Sequence, residues 1–162
     1  MKQGTKANKN GLSLENVVEE CIVDRLGVSS EKFSKTECRD NILLKHVPYT
    51  NIYGSSRCRS EFVVCLNGRE VRIECKAQHS AGSVDEKLPY LYMNFTQCIK
   101  EDEAIIVIEG DGFKKGAKEW LKNKCRGSKV RVVSLSEFRN LCKLGLPKQI
   151  KSSFLRWFFF NK

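Results

Sequence analysis

Residues Glu61-Phe-Val-Val-Cys-Leu-Asn-Gly-Arg-Glu-Val-Arg-Ile-Glu-Cys-Lys76 decide the fold. Apolar and polar residues alternate on both sides of Asn67-Gly68, a pair suited to a two-residue type I′ turn. The stretch predicts a β-hairpin with a fixed register: Leu66 opposite Arg69, Val64 opposite Val71, Phe62 opposite Ile73 and Glu61 opposite Glu74. Alternation places Phe62, Val64, Leu66, Val71, Ile73, Cys75 and Ala77 on a core face. Glu61, Glu74, Lys76 and Gln78 gather at one end of the other face.

Two carboxylates directly opposite across strands repel. A shared divalent cation reverses the sign, because hard cations take oxygen ligands. Lys76, two residues beyond Glu74, shares its face and reaches whatever such a cation holds. A solvated outer face with scattered charges is the plain alternative. At these residues the sequence resembles the PD-(D/E)xK nuclease superfamily. Glu61 matches the acid of the first strand, and Glu74-Cys75-Lys76 matches the (Asp/Glu)-x-Lys of the next. Gln78 extends it to the Glu-x-Lys-x-Gln form. The first acid is Glu rather than Asp, a longer side chain that still reaches a metal.

Composition supports a nucleic-acid partner without requiring one. The chain has 162 residues, enough for one domain with a substantial core. Its formal charge of +10 suits a polyanion, although the same charge also serves solubility alone. With 30% charged and 41% hydrophobic residues it reads as a soluble globular chain. The eight cysteines show no Cys-x-x-Cys spacing and are accompanied by two histidines, His46 and His79. That spacing argues against structural zinc. The first ten residues are polar and lysine-rich, unlike a secretory leader, and no apolar run reaches the roughly 20 residues of a membrane span. Most cysteines are therefore expected as small core residues of a reducing cytoplasm. A phage, viral or prokaryotic nucleoid setting fits.

Residues 1 to 10 read as a flexible basic tail. A helix is expected from about Leu14 to Leu26, with Ser13 as N-cap and Gly27 as its stop. Glu15 matches the helix glutamate that leans toward the metal in resolvase-like branches of the superfamily. An exposed first-turn glutamate favouring the helix dipole is the alternative. A short helical piece is expected around Thr36 to Leu44. Residues 43 to 53 look extended, with Pro48 confining that strand to an edge or a bend. The loop Gly54-Ser-Ser-Arg-Cys-Arg59 leads into Glu61, and Arg57 and Arg59 suit a passing phosphate. A purely solvated loop remains open.

After Gln78, Gly82 marks a turn and Ser83-x-x-Glu86 forms a capping-box pattern. Pro89 must kink the following helix or delay its start. By resemblance to relatives with this stretch, Ser83 and Lys87 face substrate. Ala104 to Ile108 reads as a strand buried on both faces. Phe113 to Asn123 reads as a helix with Ala117, Trp120 and Leu121 inward and Lys114 and Lys115 outward. Val130 to Val133 is a further strand, and a helix capped by Ser134 or Ser136 runs to Cys142. The order gives an α/β fold with a mixed central sheet flanked by helices. It matches the restriction-endonuclease-like core over residues 11 to 142. Residues 143 to 162 carry Phe154-Leu-Arg-Trp-Phe-Phe-Phe160, a segment expected to dock on the core or at a homodimer interface.

The resemblance implies a metal-dependent deoxyribonuclease, an endonuclease that is restriction-like or selective for junctions and other structures. Glu61 and Glu74, the backbone carbonyl of Cys75 and Glu15 would hold Mg²⁺ or Mn²⁺. Lys76 and Gln78 would complete the catalytic set, and Arg57, Arg59, Ser83, Lys87, Lys114 and Lys115 would contact DNA. The competing readings are a non-catalytic DNA-binding or assembly module of the same fold, a basic nucleic-acid-binding protein of another fold, and a structural partner using the aromatic C-terminus.

Overall fold

The computed structural model describes residues 3–34 and 39–146, with side chains from residue 13 onward. Helix α1 spans Gln3–Leu26. It begins well before Ser13, so Ser13 lies inside the helix rather than at its cap. Lys6, Ala7 and Lys9 are good helix formers, and two glycines cost only about 1 kcal/mol each. Gly27, at a φ of 65°, ends it, its N–H donating to Val23 O.

Strands β1 (Ser29–Lys32), β2 (Ile42–Tyr49), β3 (Cys58–Leu66), β4 (Arg69–Ala77), β5 (Glu103–Glu109) and β6 (Val130–Ser134) form one sheet, neighbours in that order. The pairs β2–β3 and β3–β4 are antiparallel; β1–β2, β4–β5 and β5–β6 are parallel. The sheet is mixed, as expected. Helices α2 (Leu88–Gln97), α3 (Ala117–Cys125) and α4 (Leu135–Lys143) complete the fold.

The hairpin has the register that its sequence predicts: Phe62 pairs with Ile73, Val64 with Val71 and Leu66 with Arg69. Asn67 and Gly68 both take positive φ, 54° and 69°, as a type I′ turn requires. One face packs on α1 and α4, where Leu14, Val18, Ile22, Phe138 and Cys142 meet Phe62, Val64, Ile73 and Cys75. The other face is buried too, and Val63 and Cys65 join Ile42, Leu44 and Val47 there. A separate cluster seats α2 and α3 against β5 and β6, around Phe95, Ile106 and Leu121.

Several local expectations change. Residues 40 and 41 form a turn and residues 42 to 44 belong to β2, so the helix expected around Thr36 to Leu44 is not formed there; residues 36 to 38 lie outside the described residues. Pro48 sits where β1 no longer pairs with β2, whose contact with β1 covers Ile42 to Lys45, so its missing N–H deprives no partner there. Ser83 caps nothing. A 3₁₀ turn at Asp85–Lys87, without a side-chain cap, leads into α2, and Pro89 occupies its first turn. Helix α3 starts at Ala117 rather than Phe113, because Gly116 adopts a left-handed conformation at its N-cap. Trp120 is not inward: it is 37% exposed and meets Tyr92 edge-on. At α4 Ser134 is the cap, in a reciprocal capping box with Glu137. Among the described residues six cysteines are free, but Cys65 is disulfide-bonded, a departure from its reading as a reduced core thiol. The aromatic stretch Phe154 to Phe160 lies outside the described residues. Among those described, no helix is long and apolar enough to cross a membrane.

Candidate active site

The site lies where β3 and β4 stop pairing. Their ladder ends at Phe62–Ile73, and the next residues are Glu61 and Glu74. The carboxylate of Glu61 turns into the fork, and its Oε2 accepts a hydrogen bond from the Cys75 N–H at 3.0 Å. The Lys76 ammonium donates to Glu74 Oε1 and to the Cys75 carbonyl, at 3.0 Å from the latter. It stands 3.9 Å from Glu61 Oε1. The structure therefore brings together Glu61, Glu74, the Cys75 carbonyl and Lys76, four groups that the sequence places at one end of the hairpin.

The backbone beside Glu61 is irregular. Its neighbour across β2 is His46, flanked by the pairs Lys45–Phe62 and Val47–Ser60. His46 has a φ of 56°, in the left-handed region rare for a side chain other than Gly, Asn, Asp or His. Simple alternation breaks there. Ile42, Leu44 and Val47 share one cluster, spaced by two residues and then by three. This left-handed residue, between the pairs Lys45–Phe62 and Val47–Ser60, marks the place where the pleat is redirected.

The electrostatics are unbalanced. Glu74 Oε2 is buried and has no hydrogen-bond partner. Burial, with repulsion from Glu61, pushes the Glu74 carboxyl up to about 8, against the pull of Lys76. Lys76 is held charged, above the usual lysine range, because the attraction of Glu74 and Glu61 outweighs its own burial. Glu15 on α1 is also raised, first by burial and then by Glu61, with Lys76 opposing. Three carboxylates thus surround one ammonium in a chain that is strongly basic overall. Among the described residues no three His, Cys, Asp or Glu side chains converge tightly enough to form a metal cage. Two carboxylates, a carbonyl and solvent remain, a donor set suited to Mg²⁺, which keeps waters and binds through one or two carboxylates. The orphaned Glu74 oxygen and the ammonium lodged among these oxygens both fit a cation site.

Gln78 is placed differently from the expectation. Its Nε2 donates to Gly112 O at 2.6 Å and to Asp85 Oδ1 at 3.3 Å, and its Oε1 accepts from the Val84 N–H at 2.8 Å. Both amide protons are committed to fastening the loops on either side. Glycine permits this packing. A Cβ on Gly110 would lie 2.5 Å from Gln78 O, and one on Gly112 would collide with the Ser80 backbone.

Arg57, Arg59, Ser83, Lys87, Lys114 and Lys115 are all exposed. Lys114 is engaged with Glu86 at 2.9 Å and Asp85 at 3.6 Å. Arg72 was not expected at the centre of anything. It is 2% exposed and spends all five donors: on Glu101 in a fork, on Ser60 Oγ, and on the Val47 and Pro48 carbonyls. Its sequence signal is a cation between two apolar positions of a strand, with its partner far along the chain.

A family model described as a PD-(D/E)XK nuclease superfamily domain matches residues 6–145. The chain belongs to this superfamily. The mixed six-stranded sheet with its flanking helices is the corresponding fold. No curated protein and no solved structure matches the chain. PD-(D/E)XK membership suggests nuclease activity and general use of a divalent metal. In this PD-(D/E)XK chain Glu61, Glu74 and Lys76 meet at the fork.

Proposed function

We propose that the protein is a divalent-metal-dependent endonuclease that hydrolyses DNA phosphodiester bonds. The observation that carries this reading is the buried, unpartnered Glu74 Oε2 beside Glu61, Cys75 O and the Lys76 ammonium. Buried carboxylate atoms without partners cost stability, and a cation at this point removes the cost.

Glu61, Glu74 and the Cys75 carbonyl would hold Mg²⁺ or Mn²⁺, with Glu15 close enough to add charge. Bound there, such a metal would supply Lewis acidity toward phosphate and water. The chain's own groups do the rest. Glu61 is fixed by the Cys75 N–H, so its carboxylate is preoriented. Lys76 keeps its proton and offers positive charge to the negative charge that develops on the phosphate. Gln78 acts as a positioning residue that clamps the loops beside Lys76. Arg57, Arg59, Lys87 and Lys115 contact phosphates along the DNA, contacts that position rather than specify. Ser83 is exposed on the same loop as Val84 and adds a hydroxyl. Lys114, shared with Asp85 and Glu86, contributes less. The aromatic segment 154 to 160 is the candidate contact for a second copy.

Incubation with supercoiled plasmid, linear duplex, single strand and four-way junction tests this reading, in Mg²⁺, Mn²⁺ or EDTA. The expected outcome is cleavage in either metal, abolished by EDTA and lost in Glu61→Gln, Glu74→Gln and Lys76→Ala. Undiminished cleavage by both glutamine variants would end the mechanism.

A further inference from the structure

Tyr53 is 79% exposed, yet it is not loose. Its ring stacks on Tyr90 of α2, with centroids 5.7 Å apart and planes 20° from parallel. The loop that carries it is tied from within. Asn51 Oδ1 accepts hydrogen bonds from the Tyr53 N–H at 2.9 Å and the Ser55 N–H at 3.0 Å. The Ile52 N–H donates to Oδ1 of the fully buried Asn94 at 2.9 Å, and the Asn51 N–H to Ser55 O at 2.9 Å. One face of the Tyr53 ring therefore covers Tyr90, and the other is presented to solvent on a rigid support.

The surroundings name the occupant. Arg57 and Arg59 follow on the same chain segment, both exposed, and neither forms an ion pair among the described residues. The Tyr90 hydroxyl lies 3.9 Å from Cys58 Sγ, at the start of β3. Glu61 is three residues further along that strand, about 10 Å at the usual rise. That distance is roughly three nucleotide steps of a stacked strand. A single ring is far smaller than the few hundred Å² of apolar surface that mark a protein-docking patch. A flat π-face beside unpaired arginines instead suits a nucleobase with its phosphates, the arrangement used on single strands. Bases inside a duplex already stack on each other, so their faces are closed to Tyr53.

We propose that Tyr53, backed by Tyr90 and flanked by Arg57 and Arg59, is a stacking platform for one unpaired nucleobase. The preferred substrate is then duplex DNA with an adjoining unpaired nucleotide, at a flap, a splayed end or an overhang. This rests on the nuclease reading above and gives that site its substrate class.

The test measures binding in EDTA, where cleavage is off. The DNAs are a blunt duplex and the same duplex with a single-stranded overhang bearing 2-aminopurine at its first unpaired position. The full-length protein should bind the overhang more tightly and quench the 2-aminopurine. Tyr53→Ala should lose about 5- to 150-fold on the overhang, the span expected for one base–aromatic stack. It should bind the blunt duplex as before, and Tyr53→Phe should behave as the unaltered protein. Melting temperatures of the variants exclude misfolding. Equal binding of both DNAs by Tyr53→Ala and the unaltered protein overturns the platform, as does equal weakening on both. Tyr53-dependent overhang binding with no cleavage of any DNA in Mg²⁺ or Mn²⁺ overturns the nuclease reading and leaves the platform standing.

Discussion

Strand β4 carries two buried charge clusters two residues apart, and they are built on opposite terms. At Arg72 one cation meets one carboxylate, Glu101, and the other donors find Ser60 Oγ and two carbonyls. The ring of Tyr49 lies 5.3 Å from the guanidinium carbon. Nothing there is short of a partner. At Glu74 two carboxylates compete for one ammonium, and one buried oxygen has nothing. A closed account of hydrogen bonds belongs to a structural element, because each group left out would cost stability. An open account in the same dry environment marks a place waiting for something from outside. The difference distinguishes these two clusters on β4, although Glu103 Oε2 and Asn94 Nδ2, elsewhere in the fold, are unpartnered as well.

Variants that open the closed cluster or close the open one test this contrast. The largest effect is on chemistry. Glu61→Gln or Glu74→Gln should lower metal-dependent cleavage by roughly 100- to 1,000-fold or more, on the scale of losing one charge-stabilising group. DNA binding in EDTA should stay close to that of the unaltered protein. Next is Arg72→Met, which strands Glu101 in the interior. It should cost about 3–5 kcal/mol and lower the melting temperature by roughly 6–20 °C. An Arg72→Met protein that melts normally would undo the contrast.

A smaller effect has the opposite sign. The Glu74 carboxyl is held above its ordinary value, up to about 8. The folded protein therefore keeps a proton there that the unfolded chain releases near 4.5. Its contribution to stability is fully present below 4.5 and declines as pH rises through 8. Glu74→Gln removes that decline. The variant should melt higher than the unaltered protein by a few degrees at pH 8.5 and by much less at pH 5, as calorimetry at the two pH values reads. Gln78→Ala leaves the Val84 N–H, Gly112 O and Asp85 with one partner fewer, at a cost of about 1–3 kcal/mol. Faster amide exchange at Val84 and Gly112 is the local sign. Smallest of all, Lys114→Ala removes an ion pair with exposed Glu86 and a longer one with buried Asp85, which keeps its hydrogen bond from Gln78, and should lower the melting temperature by no more than about 2 °C.

How much of this was legible in the sequence follows from how local each feature is. Asn67-Gly68 fixes a register by itself, so every pair from Phe62–Ile73 to Leu66–Arg69 was readable. The buried run of β5 depends on neighbouring residues and was equally plain, while the cap of α4 was narrowed only to Ser134 or Ser136. Strand β1, Ser-Ser-Glu-Lys, has no apolar pattern; it is a strand only because β2 lies parallel beside it. Glu61 and Glu74 lie at one end of the hairpin, as read, but just beyond the last ladder pair rather than in it, and the turn of the pleat at His46 was not legible, since a left-handed histidine leaves no mark in composition. Gln78 shows the same limit. Its position on the strand was clear, while its partners come from residues 84, 85 and 112, brought near by the fold. The described residues also stop before the aromatic run at 154 to 160, whose expected docking role stays a proposal.

The Asn67–Gly68 turn has one more consequence. Glu61 and Glu74 stand at equal counts of residues from it, so the turn works as a ruler with two matched arms. Point substitutions along the arms change how well the strands pack, yet leave the marks aligned. One residue inserted or deleted in either arm shifts one carboxylate by a full step and turns it to the opposite face. Over evolutionary time this hairpin should accept replacement of letters far more readily than any change in their number.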